Sequence, residues 1–569
     1  DVLVSGLLLA DLMFYQWFDE LVPFRMASEA SQVSGVGEST LSTFSPVQLL
    51  LFSDLVVLAV LALVLRGRIV TPVLRAPRSW TSAGVALVVS LAVLVAGGFD
   101  AGTRSLRERY STAALSRSVG PVPYHLYDLA WSAAGPGEPK AKPADLVHWE
   151  QARRAADVHT ELSGAAKGSN LLIIQMEAME NILIGRSVNG QEVTPTMNRL
   201  VAGNALYFDH YHTQIGVGNT SDAELMSLTS LHPIAGGSAY LLRSHQDYPG
   251  SLPNVLRSAG FSTAEAFHGY DRSYYNRWHM YPHLGFTGFH LGGDFDRTDK
   301  VGMGISDESF FSQTADKLKG VQGRWFGFVI SLSGHHPYRL PAQLRPLDIP
   351  DGTYSKEFTA YLQAQAYADR ALGHFLDRLR ADGTLANTTL AIYGDHWGFG
   401  WPTSDTEKFV GRHGSDAVDH ADDTRVPLVI ALPEGHKPGK SRLMPVTGGE
   451  IDLTPTLLDL FGIAPTGFYF GRSLLAGPDL VAQRHYSPLG SYMDSDHVFR
   501  ASADGNLEGG QCVEYRTRKV VPVADCKKGY DETRWRIQMS DSVIDGNLLP
   551  QLIADERTLN LKASGTPTG

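Results

Sequence analysis

The chain has 569 residues, 43% of them hydrophobic and 19% charged, and a formal charge of -11. That balance excludes an intrinsically disordered chain, and the lack of any long basic block excludes the electrostatic footprint of a nucleic-acid-binding protein. The length allows more than one domain.

Three apolar stretches come first: Val2 to Trp17, Val47 to Leu65 and Trp80 to Phe99. The second and third approach the ~20 residues needed to cross a bilayer, Asp54 notwithstanding. Each is apolar around most of its circumference rather than along one stripe, which argues against buried core helices. The first begins at Asp1 with neither a Met nor a basic leader, and reads as the remainder of a longer membrane region. Arg66, Arg68, Arg75 and Arg78 crowd the short loop after the second stretch, whereas the loop from Phe18 to Pro46 holds only Arg25. The positive-inside rule then puts the Arg-rich loop in the cytoplasm and the large remainder of the chain outside, with Arg104, Arg107 and Arg109 weighing the other way. Residues 1–103 are expected to form a multi-pass membrane region of about three spans, and the Gly-, Pro- and Ala-rich residues 104–169 a juxtamembrane connector.

From Asn170 short apolar runs alternate with amphipathic segments. "NLLIIQME", "STAEAFHG", "WFGFVISLSG", "TTLAIYGDH" and "VPLVIAL" read as strands; "SLPNVLRSAG", "EFTAYLQAQAYADRALGHFLDRLRADG" and "IDLTPTLLDLFG" read as helices. The pattern predicts an α/β fold, a mostly parallel sheet with helices on both faces, over residues 170–475. Residues 476–569 read as a small antiparallel C-terminal subdomain and tail. There Cys512 and Cys526 would close a loop that a disulfide stabilises by roughly 3 kcal/mol, a bond that persists outside the cytoplasm; two unrelated thiols are the alternative.

Open parallel sheets bind ligands beyond the carboxyl ends of their strands. The predicted strands end in Glu177, His268, His335 with His336, and Asp395 with His396. Glu177, Asp395 and His396 form a mixed oxygen and nitrogen donor set that suits Mn²⁺, Mg²⁺ or Zn²⁺, with Glu180 an equal candidate beside Glu177. Thr220, in "QIGVGNTSDAEL", follows two glycines and opens a helix, where unpaired N–H groups and the helix dipole favour an oxyanion or phosphate. It could add a fourth ligand and act as a metal-activated nucleophile. Its plain alternative is a helix cap. His279, His283, His290, His374 and His420 show no such placement and read as surface or packing residues, while His210 and His212 either shape the nucleophile loop or alternate along a strand.

"VNGQEVTPTMNRL", "YHTQIGVGNTSDAEL", "SGHHPY", "YGDHWG" and "IDLTPTLLDLFG", in this order, resemble the lipoteichoic acid synthase family, polyglycerol-phosphate transferases of the alkaline phosphatase and sulfatase superfamily. The resemblance implies a sulfatase-like catalytic domain over 170–475, outside the cell membrane, with Thr220 as the nucleophile. It implies Mn²⁺ or Mg²⁺ held by Glu177, Thr220, Asp395 and His396, and glycerol-phosphate contacts at His268, Arg277 and His335. Three positions depart from the family pattern: Asn219 stands for a lysine, Tyr275 for a tryptophan, and Tyr270 for an acidic contact whose nearest carboxylate is Asp271.

The reaction so implied moves glycerol phosphate from phosphatidylglycerol to a glycolipid or polyglycerol-phosphate acceptor through a phosphothreonine. An ethanolamine head group would set its ammonium beside Arg277, a like-charge contact, so an uncharged polyol is expected to be preferred. The rivals are a phosphoethanolamine transferase, disfavoured by the single cysteine pair; a phosphodiester hydrolase or sulfatase; and a catalytically silent membrane-anchored binding module.

Overall fold

The computed structural model describes residues 2–18, 20–26, 44–65, 112–134, 142–155, 159–399, 403–411, 416–433, 442–484, 488–502 and 505–555. At the N-terminus lie helices α1 (Val2–Phe18), α2 (Ser53–Leu65, entered through a 3₁₀ turn at Pro46–Phe52), α3 (Thr112–Val119), α4 (Pro121–Ala134) and α5 (Pro143–Ala155). Among the described residues no helix is long and apolar enough to cross a membrane. The third apolar stretch, Trp80 to Phe99, lies outside them.

The centre of the molecule is an eight-stranded sheet. Its strands are β1 (Asn170–Met176), β2 (Ala205–Phe208), β3 (Thr263–His268), β4 (Gly288–Leu291), β5 (Trp325–Ile330), β6 (Thr388–Gly394), β7 (Leu428–Ala431) and β8 (Arg442–Leu443). They lie in the order β8-β2-β7-β6-β1-β5-β3-β4. The block β6-β1-β5-β3-β4 is parallel throughout, whereas β7 runs antiparallel to both β6 and β2. All five strands expected from the apolar runs are present. β2, β4 and β8 were not foreseen, because two to four residues carry too little periodicity to register.

Alternation along β1 decides how the faces are covered. Leu171 and Ile173 pack into one apolar layer with α6 (Thr220–Thr229), α7 (Arg277–Leu284) and α10 (Leu453–Phe461). Leu172, Ile174 and Met176 pack into the other with α8 (Asp307–Lys319) and the long α9 (Lys356–Ala381). Because crossover helices bury both faces, β1 is apolar at nearly every position rather than at every second one. A second, five-stranded sheet follows, β9 (Val481–Ala482) to β13 (Val520–Val521) through β10 (Tyr492–Met493), β11 (His497–Arg500) and β12 (Gln511–Glu514), antiparallel throughout. Cys512 and Cys526 are joined as a disulfide, and α11 (Lys527–Asp545) closes the described fold.

Candidate active site

Parallel pairing places four chain ends side by side. Gln175 is level with Tyr393 of β6 and Ile330 of β5, and Ile330 is level with His268 of β3. The next residues along these strands therefore emerge on one edge: Asp395 and His396, then Glu177, then the loop to His335, then His268 at the end of β3.

Thr220 reaches this edge from α6. Its Oγ1 donates to Glu177 Oε2 at 3.3 Å and lies 3.4 Å from His396 Nε2. His396 Nε2 is 3.4 Å from Glu177 Oε1 and 3.7 Å from Asp395 Oδ1. The ring is oriented because Nδ1–H donates to the Trp397 carbonyl at 2.8 Å, which turns Nε2 inward toward the two carboxylates. Asp395 is held by the N–H groups of Ala178 and His396, both at 2.8 Å, and by Gln175 Nε2 at 3.2 Å. Glu180, the sequence alternative to Glu177, turns away: its Oε1 accepts the N–H groups of Gly398 and Phe399, each at 2.9 Å.

One donor atom from each of Glu177, Asp395 and His396 falls within 4.8 Å of the others, and all three residues are buried. Burial works against the Glu177 carboxylate, yet the His396 hydrogen bond and the imidazoles of His335 and His396 bring it down to about 2. Burial raises Asp395 to about 7 against the pull of His396. The same burial opposes charge on His396, but Asp395 and Glu177 raise it to about 10. Two carboxylates and an imidazole nitrogen converging in a buried pocket form a donor set that fits a hard or borderline divalent cation.

The loop ahead of Thr220 is braced by Asp222. Its Oδ2 accepts the N–H groups of Gly216 and Gly218, both at 2.9 Å. A Cβ on Gly218 would sit 2.4 Å from Asp222 Oδ1, so the carboxylate and the bare backbone require one another. Asn219 then takes φ 44°, ψ −117°, a strained conformation in which Asn is better tolerated than most side chains.

His268 is buried, and its Nδ1–H donates to the Ile330 carbonyl at 3.2 Å, leaving Nε2 as an acceptor. Burial, then the Arg277 charge, holds its pKa well below the usual histidine range, so the ring is neutral. His335 Nδ1–H likewise donates to the His336 carbonyl at 2.6 Å. Tyr275 lies under Arg277, with the guanidinium 5.3 Å from the ring centre. Asp271 is exposed, and its Oδ1 accepts the Ser273 N–H at 2.9 Å and hydroxyl at 2.7 Å, which commits it to its own turn.

Arg277 differs from expectation. It is 1% exposed, and it donates from Nη2 and Nε to Glu224 Oε1 at 2.7 and 3.0 Å, while Tyr281 donates to the other Glu224 oxygen at 2.9 Å. The like-charge argument against an ammonium head group therefore does not hold, because Glu224 neutralises the arginine. Nη1 is buried with no hydrogen-bond partner among the described residues, which leaves that nitrogen's two N–H groups for a ligand. Glu224, Gln175 and Asp222 escaped the sequence reading as functional residues; the only signal was a run of acidic residues on a helix buried at every position.

Residues 169–463 match the sulfatase family, and residues 1–135 match the lipoteichoic acid synthase N-terminal domain. Lipoteichoic acid synthase 1 of Bacillus subtilis is 30% identical over 96% of this chain and 84% of its own length. Lipoteichoic acid synthase of Staphylococcus aureus strain USA300 is 27% identical over 96% of this chain and 83% of its own. The crystal structure of the lipoteichoic acid synthase LtaP from Listeria monocytogenes superposes with a TM-score of 0.64 at 27% identity, covering 71% of this chain and 98% of that one.

Proposed function

The chain belongs to the lipoteichoic acid synthase family of sulfatase-like enzymes, and we propose that it moves glycerol phosphate from phosphatidylglycerol to a glycolipid or polyglycerol-phosphate acceptor through a phosphothreonine at Thr220. The observation that carries this reading is the Thr220 hydroxyl, 3.3 Å from Glu177 and 3.4 Å from His396, at the start of a helix.

Glu177, Asp395, His396 and the Thr220 oxygen would hold Mn²⁺ or Mg²⁺, which when bound lowers the hydroxyl pKa and offsets charge on the phosphate. Thr220 Oγ1 attacks phosphorus as the bond to the diacylglycerol oxygen breaks, and the proton given up by the Thr220 hydroxyl passes by way of the His335 imidazole to the departing diacylglycerol oxygen. Arg277 Nη1 takes a phosphate oxygen, and His268 Nε2 accepts from a glycerol hydroxyl. The acceptor hydroxyl then attacks the phosphothreonine and restores Thr220. Water in that role would give hydrolysis.

Membrane anchorage is part of the proposal. It is supported by the match to the family's N-terminal domain and by a parity argument. Leu21 N–H donates to Thr112 Oγ1 at 2.6 Å, and Arg25 donates to the Ala235 carbonyl at 2.9 Å, so the loop after α1 lies on the same side as the catalytic domain. Crossings at the apolar stretches Val47 to Leu65 and Trp80 to Phe99, expected from the sequence, would return the chain to that side. With Arg66 to Arg78 in the cytoplasm, the catalytic domain is extracellular.

The test is purified protein with head-group-labelled phosphatidylglycerol, with and without a glycolipid acceptor. Label on the acceptor and release of diacylglycerol are expected. Release of free glycerol phosphate regardless of acceptor would make the enzyme a hydrolase, and faster use of phosphatidylethanolamine would make it a phosphoethanolamine transferase.

A further inference from the structure

From Leu171 to Met176 strand β1 is apolar except at Gln175, whose side chain is fully buried. A buried primary amide persists only where its neighbours use its donors and its acceptor. Register selects those neighbours: Gln175 is level with Tyr393 of β6, two residues before Asp395, and the Tyr393 hydroxyl donates to Gln175 Oε1. That fixes which way the amide faces. Nε2 is left toward two acceptors, Asp395 Oδ2 at 3.2 Å and the Thr220 main-chain carbonyl at 3.3 Å, one for each of its N–H groups.

Helix α6 is met at a second point. The Tyr393 hydroxyl lies 2.9 Å from Ser227 Oγ, and Ser227 stands two turns beyond Thr220, on the same face of the helix. Thr454 Oγ1 also donates to the Ser227 carbonyl at 2.6 Å, so that end of α6 stays anchored without the tyrosine. The Thr220 end depends on Gln175 more heavily. There the same amide touches the residue whose Oγ1 faces Glu177 and His396, and the carboxylate of Asp395.

We infer that Gln175, aligned by Tyr393, is a positioning residue that holds the Thr220 end of α6 against Asp395, so that the hydroxyl and the three donor side chains keep one geometry. This rests on the reading of Thr220 as nucleophile and of Glu177, Asp395 and His396 as metal ligands. Gln175 acts through Thr220 and Asp395 alone. A displacement of about 1 Å between reacting groups costs on the order of 10²-fold in rate, so a bond two atoms removed from the chemistry is felt there.

Mn²⁺ affinity by calorimetry, with kcat and KM for phosphatidylglycerol on the same full-length preparations, tests the inference. Gln175→Met, which keeps the volume and removes the bonds, is expected to weaken Mn²⁺ binding roughly 10–100-fold, the range for loss of a ligand's hydrogen-bond partner, and to lower kcat with KM little changed. Tyr393→Phe is expected to show the same pattern at smaller size, and the double variant to be no worse than Gln175→Met, because both act through one amide. A loss confined to melting temperature, with Mn²⁺ affinity and kcat of the folded protein at wild-type values, overturns the inference. So does a double variant in which the two losses multiply. Wild type that binds Mn²⁺ and transfers no glycerol phosphate would overturn the proposed function instead, and the Mn²⁺ affinity of Gln175→Met then decides the inference by itself.

Discussion

Asp222 makes the clearest case at the scale of single residues, since it explains why glycines flank Val217. The carboxylate lies where a Cβ of residue 218 would be and satisfies two buried N–H groups. Burial raises its pKa to about 7, against the two backbone hydrogen bonds. Asp222→Ala is expected to cost about 1–3 kcal/mol, the penalty for buried donors left unpaired, and to cut turnover while the metal is retained. Thermal unfolding, elemental analysis and an activity assay together check this; unchanged turnover would show that the loop needs no brace. Thr220, Glu177, Asp395 and His396 were legible in the sequence because strand ends and a helix start are local features. The Glu224 pairing with Arg277 was not, because it joins positions 53 residues apart and exists only once α6 and α7 pack.

Among elements, α8 shows how a helix start fixes a site loop. The Asp307 carboxyl accepts the N–H groups of Leu332 and Ser333, at 2.9 and 3.1 Å, just ahead of His335. Burial raises its pKa from 3.8 to about 7. The folded protein therefore keeps a proton that the unfolded chain releases in that interval. The stability from this group is fully present below pH 3.8 and is lost as pH rises to about 7. Wild type is thus expected to lose stability relative to Asp307→Asn between pH 5 and pH 8, as read from denaturant unfolding. No relative change over that interval would mean that the folded carboxylate is already ionised. The strands that position the site were legible because each is a continuous apolar run. The antiparallel setting of β7 was not, since a run buried on both faces carries no mark of its direction.

For the molecule as a whole, the α5 contacts hold outer parts to the sulfatase-like core, while the disulfide ties β12 to the start of α11 within the C-terminal subdomain. Trp149 of α5 packs against Trp535 of α11 and Phe470, with ring centres 4.8 and 5.6 Å apart, and Arg153 beside it reaches the carbonyls of Phe470 and Gly471. The cysteine pair sits in a separate apolar cluster with Tyr492, Phe499 and Tyr530 that includes no proposed site residue. Replacing both cysteines by serine is expected to lower stability by roughly 3 kcal/mol while turnover of the folded protein persists. Loss of turnover without loss of stability would tie this subdomain to the chemistry. The central claim is that Thr220 carries the group in transit. It is tested most directly by mixing the enzyme briefly with phosphatidylglycerol labelled in its head group, quenching before acceptor is added, and locating the label by peptide mass spectrometry. The account predicts label on Thr220, with neither label nor turnover in Thr220→Ala. Diacylglycerol release from an unlabelled wild-type enzyme, or turnover by Thr220→Ala near the wild-type rate, would contradict it.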